Sequence, residues 1–179
     1  MKNKTMLVLS VLLLFTVLSA APAQDDSLPV PQELVRDDHL HHARADAEIL
    51  AARRFYAFWS SGDARFLDAA LSPEFVDRTL PPGRPQGPSG PRFASTQFRA
   101  AVPDLRCDIV QLILSRDRIV AHLRFRGHFL GTFGGSQGAG QSVDFIATDI
   151  LRLRDGRITD NWHIEDNLTF LRQIGAVQQ

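Results

Sequence analysis

A few acids and one histidine have the types and positions to move a proton. Asp149 lies in Phe145-Ile146-Ala147-Thr148-Asp149-Ile150-Leu151, an otherwise apolar run. A carboxylate in such a run must face water, find a partner or have its pKa raised, and the last is how a general acid or base is tuned. An outward-facing aspartate on one side of a sheet is the plain alternative. His163 follows in Asn161-Trp162-His163-Ile164-Glu165-Asp166. An Asp–His pair in an apolar cavity is a proton-transfer device, provided that both side chains share a face. That depends on the turn at Asp155-Gly156. A plain two-residue loop sets Asp149 opposite Trp162, on the face away from His163. A type I turn with Gly156 as a bulge sets Asp149 opposite Asn161 and His163 opposite Ala147, as diagonal neighbours on one face.

Other constellations carry less. Gly134-Gly135-Ser136-Gln137-Gly138 fits G-x-S-x-G, with Asp149 and His163 following in hydrolase order. A nucleophile elbow needs a strand before the serine and a helix after it, and here a strand pattern follows. His39 and His42 are one helical turn apart, with His41 beside them. No carboxylate or thiolate completes a metal set, so an exposed polar turn and no metal are expected. Cys107 alternates with Ile109 and Gln111 and reads as a small buried hydrophobe.

The elements that must hold these residues can be read from periodicity. Ala45, Ile49, Ala52, Tyr56 and Trp59 recur at spacings of three and four, predicting a helix over 38–60 capped by Asp37 or Asp38 and ended by Gly62. Asp63 can cap a second helix, 64–71, and 74–77 reads as a short strand. Residues 81–91 hold five prolines and three glycines and form a loop, followed by a helix over 91–101. Four strands are predicted at 107–115, 118–129, 142–153 and 157–166, then a helix at 167–174 stopped by Gly175. Helices first and an antiparallel meander after them indicate an α+β domain with helices on one face of a sheet.

Composition bounds the rest. The chain has 179 residues, 20 Lys+Arg, 20 Asp+Glu and one cysteine. Lys2 and Lys4, the apolar stretch Leu7 to Leu18 and Ala21-Pro22-Ala23 together predict a secretory signal peptide over 1–23. Cleavage after Ala23 leaves 179 − 23 = 156 residues with a charge of 18 − 20 = −2, all its bases arginines. Such a chain suits one domain, preceded by a flexible arm over 24–37. It is too short for a TIM barrel, has no second apolar segment for a membrane span, and cannot form an internal disulfide. Its charge balance gives no case for nucleic acid. The expectation is an exported protein, periplasmic or secreted.

Several stretches carry a resemblance. Gly90-Pro-Arg-Phe93, Phe98-Arg-Ala-Ala-Val-Pro-Asp-Leu105, Asp117-Arg-Ile-Val-Ala121, Thr148 to Ile158 and Asn161 to Gly175, with Phe55-Tyr56, Gly62-Asp63 and Pro73-Glu-Phe-Val-Asp77 upstream, resemble the SnoaL-like polyketide cyclase family over roughly 45–175. The resemblance implies a nuclear transport factor 2-like fold, a cone-shaped barrel of helices against a curved antiparallel sheet around a pocket, often dimeric. It also implies cofactor-free cyclase, isomerase or lyase chemistry with an aspartate as acid/base and a histidine near it. In the family an aspartate commonly follows the tryptophan matching Trp162; here that position is His163, Asp149 matches a pocket-facing polar position, and Asp166 matches a second acid. The expected catalytic set is therefore Asp149, His163 and Asp166. Trp59, Asp77, Phe98, Phe125, Phe145 and Trp162 are expected to bind a small apolar or carbonyl-containing molecule, with Phe55 as a further wall. Aromatics at helical or strand spacing are core more often than pocket wall, and that plainer reading fits each of these positions. A non-catalytic binding module with the same pocket, or a domain whose pocket is filled by its own side chains, fits the same residues.

Overall fold

The computed structural model describes residues 28–37 and 39–178; the expected signal peptide lies outside the described residues. Twelve elements follow in chain order: β1 (Glu33–Arg36), α1 (His42–Ser61), α2 (Ala64–Ala70), β2 (Leu71–Asp77), α3 (Ser89–Ala101), β3 (Arg106–Ser115), β4 (Arg118–Phe129), β5 (Thr132–Phe133), β6 (Ser136–Gln137), β7 (Gln141–Arg154), β8 (Arg157–Glu165) and α4 (Asn167–Gln173).

Six strands form one sheet in the order β1-β3-β4-β7-β8-β2, and β5 pairs with β6 as a small separate ribbon. The four central strands are the antiparallel meander expected from the sequence. The two edge strands run parallel to their neighbours, β1 to β3 and β2 to β8. These edges correct two expectations. The stretch expected to be a flexible arm holds β1, because Glu33–Arg36 satisfies backbone groups that β3 would otherwise leave open. The sheet also does not close into a barrel: β1 and β2 end it, and helices cover its inner face.

Local chemistry accounts for the joints. Gly62 takes φ 74°, donating its N–H to Phe58 O, and stops α1. Asp63 caps α2 by accepting from Arg65 N. Helix α1 begins at His42 rather than 38, since Asp37 turns its carboxylate to His39 N instead of a helical N–H.

Strand β7 alternates strictly. Val143, Phe145, Ala147, Asp149, Leu151 and Leu153 are buried on the inner face, while Ile146 and Ile150 are exposed on the other. Strand β4 contributes Ile119, Ala121, Leu123 and Phe125 to the same inner face. Phe55, Phe58, Leu67 and Phe170 come from the helices to meet them. Each large side chain fully buried there contributes about 2 kcal/mol. No helix among the described residues is long and apolar enough to cross a membrane.

Candidate functional site

The turn between β7 and β8 decides which residues face inward. Asp155 and Gly156 both have positive φ, 52° and 69°, so they form a two-residue loop pairing Arg154 with Arg157 and Leu153 with Ile158. Continued without interruption, that register would send His163 to the far face. A bulge at Thr159 intervenes, and Arg152 pairs with Asp160 instead. Asp149 is thereby set directly opposite His163, Leu151 opposite Asn161 and Ala147 opposite Glu165. The shared face expected from a bulged turn is present, but the extra residue sits three positions beyond the turn. The two side chains are cross-strand neighbours rather than diagonal ones.

This face floors a cavity of about 310 Å³. Trp59 and Phe55 of α1, Phe98 of α3, Phe125 of β4 and Phe145 of β7 wall it, and Asp77, Asp149, Asn161, His163 and Glu165 project polar groups into it. The aromatic rings brace one another: Phe125 stacks on Phe145 at 5.3 Å between centroids, and Phe170 lies 4.8 Å from Phe98 behind them. The cone is therefore not filled by its own side chains, which disfavours a purely structural domain.

His163 is clamped between two carboxylates. Its Nδ1 lies 2.7 Å from Glu165 Oε1, and its Nε2 lies 3.1 Å from both oxygens of Asp77. Burial by itself disfavours the imidazolium, but the hydrogen bond and charge of Glu165, then those of Asp77, outweigh it and push the pKa up to about 9. Both ring nitrogens are thus donors at neutral pH, and the ring is a fixed cation. Burial raises Glu165 as well, yet the hydrogen bond and charge of His163 hold it below the usual carboxylate range.

Asp149 is placed differently. It is buried, and its Oδ2 accepts a 3.1 Å hydrogen bond from the Tyr56 hydroxyl of α1. Burial pushes its pKa up from 3.8 to about 7; the His163 charge opposes this, the Glu165 charge adds to it, and hydrogen bonds from Tyr56 and Asn161 oppose it again. Burial also drives the Tyr56 phenol well above its ordinary range, so Tyr56 remains a donor. The cavity therefore holds one carboxyl group poised to gain or lose a proton near neutral pH beside a histidine that is cationic at that pH and held by two carboxylates. Such a pair can abstract a proton from carbon and stabilise the oxyanion that results.

Two expected site residues lie elsewhere. Asp166 caps α4, accepting from Thr169 N at 3.0 Å and from Thr169 Oγ1 at 2.7 Å, because the strand ends before it. Trp162 points to the outer face, where the guanidinium groups of Arg118 and Arg152 lie 5.7 and 5.4 Å from its ring centroid, since alternation turns it away from its neighbour His163. Ser136 of the G-x-S-x-G match is in the β5–β6 ribbon with no helix after it. His128 is exposed and bonded to Asp104. Cys107 is a buried free thiol.

Four participants are not among the expected site residues. Tyr56 reads in the sequence as part of an apolar helical stripe, and only its hydroxyl hints at a buried polar partner. Asn161 and Glu165 carry a usable signal: they stand two residues either side of His163, so a strand that turns His163 inward turns them inward too. Arg84 comes from the Pro/Gly-rich loop, where periodicity predicts nothing. Among the described residues no three or more His, Cys, Asp and Glu side chains gather as a metal site.

Comparisons with known proteins agree with this architecture. The model of the SnoaL-like polyketide cyclases matches residues 49–174. A candidate polyketide cyclase from Bacillus cereus ATCC 10987 has a similar structure, with TM-score 0.77 and 38% sequence identity, the match covering 86% of this chain and 97% of that one. IdmH from Streptomyces antibioticus, also a candidate polyketide cyclase, gives TM-score 0.65 and 26% identity over 75% of this chain and 99% of its own. A protein with a ketosteroid isomerase-like fold from Catenulispora acidiphila DSM 44928 is alike in fold alone, at TM-score 0.56 and 16% identity over 70% of this chain and 92% of that one. The fold is a nuclear transport factor 2-like one, as the sequence resemblance implied. No curated protein matches the chain.

Proposed function

Because the chain belongs to the SnoaL-like polyketide cyclase family, we propose that it is a cofactor-independent enzyme of the cyclase or isomerase type, acting on a small carbonyl or ring compound with Asp149 as its acid/base. One observation carries this reading: a buried carboxyl group with a pKa of about 7 faces an apolar cavity next to a clamped imidazolium. The ionised Asp149 takes a proton from a carbon next to a substrate carbonyl, and the C–H electron pair forms an enolate. The His163 charge stabilises the enolate oxygen. The enolate carbon then either attacks a second carbonyl to close a ring, whose alkoxide recovers the proton from Asp149, or is reprotonated at another carbon. Atoms and electrons balance without any added oxidant or reductant. His163 supplies charge rather than moving the proton, because both of its nitrogens are held by Glu165 and Asp77.

Exchange of carbon-bound hydrogen tests this directly. The protein should accelerate deuterium uptake from D2O at C1 of 2-tetralone, followed by NMR, with a rate that rises through about pH 7 as Asp149 ionises. Asp149→Asn should slow it by roughly 100-fold or more. Equal rates in the two proteins would sink the assignment of Asp149. Binding of 2-tetralone with no acceleration would favour the second reading, a non-catalytic binding module, which the aromatic wall of Trp59, Phe98, Phe125 and Phe145 supports by itself.

The protein is further proposed to be exported, on the signal-peptide pattern of residues 1–23, and to form a homodimer across the outer sheet face, where Ile146, Ile150 and Ile164 are 47%, 42% and 72% exposed. A mature N-terminus at Gln24 in the extracytoplasmic fraction and a mass near twice that of the mature chain in sedimentation equilibrium are the expected results. An intact Met1 inside the cell, or a monomer, would remove the respective claim.

A further inference from the structure

Arg84 lines the cavity from the Pro/Gly-rich loop between β2 and α3, with its side chain only 21% exposed. A guanidinium carries five N–H donors in a planar fork and never loses its charge. Among the described residues the one carboxylate in ion-pair contact with it is Asp77, at 3.8 Å from Arg84 Nη1, and the guanidinium makes no hydrogen bond. Asp77 is already committed. Both its oxygens face His163 Nε2, and Oδ1 also accepts from Thr79 N at 2.9 Å. Glu165 is committed to the other ring nitrogen. Both carboxylates near Arg84 already bond the histidine, and the largely buried guanidinium fork faces the cavity with no hydrogen bond of its own among the described residues.

A second polar atom is left open at greater depth. Asn161 is buried and lines the cavity, its amide hydrogen-bonds Asp149, and its Oδ1 has no partner among the described residues. Buried polar atoms without partners are rare, and those at a cavity wall mark where a ligand must supply the missing group. The aromatic wall lines the same cavity and takes an apolar body.

We propose that the pocket takes an apolar carboxylic acid, its carboxylate paired with the Arg84 fork near the opening, its ring or chain against the phenylalanines, and a hydroxyl or N–H donor given to Asn161 Oδ1. A carboxylate fits because it is the group that fills a guanidinium fork with two parallel hydrogen bonds, which a ketone or ester oxygen cannot do. This rests on the reading of the cavity as a small-molecule site and not on turnover, so it survives even if Asp149 proves to do no chemistry.

The test compares two probes of the same body and different charge, 2-naphthaleneacetic acid and its methyl ester, by calorimetry and by quenching of the Trp59 fluorescence. The full-length mature protein should bind the acid at least about tenfold more tightly than the ester. Arg84→Met should erase that preference while leaving ester affinity within about twofold, and Arg84→Lys should keep part of it. Equal affinities for acid and ester in the unaltered protein, no binding of the acid, or an acid preference that persists in Arg84→Met would each overturn the proposal. In those cases Arg84 serves only to hold its loop over Asp77.

Discussion

The two faces of the six-stranded sheet carry the same kinds of side chain and do opposite things with them. On the outer face, Arg124 and Arg126 pair across strands with Asp144 and Asp108. These groups are 30–50% exposed, water screens them, and each pair contributes at most about 1 kcal/mol. On the inner face, His163, Asp77 and Glu165 pair in the same way, but the His163 and Asp77 side chains are 6% and 4% exposed. There pairing lifts a histidine to about 9, and burial lifts an aspartate one strand away to about 7. Pairing is common to both faces, and only desolvation turns it into chemistry.

The contrast can be attacked at its strongest point first. Asp149 has a raised folded-state pKa, so the folded protein binds the proton that the unfolded chain releases. The stability this brings is fully present below about pH 3.8 and is lost as pH rises through about 7. Asp149→Asn removes the cost of burying the charge and should raise stability above pH 7 by up to roughly 4 kcal/mol, with the gain fading toward pH 4. Urea unfolding at a series of pH values reads this, and a pH-independent difference would mean that Asp149 is not desolvated. Loss of exchange activity with gain of stability in one variant would be the signature of a site tuned at the expense of the fold.

The next effect is that of the clamp. His163→Gln leaves Asp77 and Glu165 buried without their cation and should cost about 3 kcal/mol at pH 7. The sign is the reverse of a depressed carboxylate: with its pKa raised from 6.5 to about 9, His163 contributes stability fully present below pH 6.5 and lost as pH climbs through 9. The gap between wild type and variant should therefore close above pH 9, and a gap that persists there would assign the loss to packing. Smallest is the outer control. Arg124→Ala should change stability by less than about 1 kcal/mol, and 1 M salt should shrink even that. A loss comparable to that of His163→Gln would show that the dimer proposed across this face desolvates Arg124, which is paired with Ile146, and the comparison would then hold only for the monomer.

Much of the inner face is legible in the residues alone. Asp149 stands out because a carboxylate interrupts an apolar strand, and His163 because it lies one strand on. Strands β3, β4, β7 and β8 and helices α2 and α4 fall within one or two residues of their expected limits. Two features mislead. Trp162 and Asp166 resemble site residues because they flank His163 in sequence, but a strand alternates faces and ends where a cap begins, so nearness along the chain does not become nearness in space. Strand β1 is hidden and β2 reads too short, because edge strands are recognised by what they pair with, not by their own pattern.

Periodicity, turn chemistry and residue type are local, and so the sequence by itself determines an α+β domain, its interhelical caps, its hairpin and a short roll of titratable candidates. The roles of those candidates are not local. One bulge at Thr159 turns His163 inward, helix α1 brings Tyr56 to Asp149, and strand β2 brings Asp77 to His163 across 86 residues of chain. The pKa of a carboxyl group depends on the water and charge around it, and those are set by parts of the chain far away in sequence. The aspartate of the apolar run therefore becomes an acid/base candidate, and the histidine a fixed cation, only once the sheet and helices have closed around them.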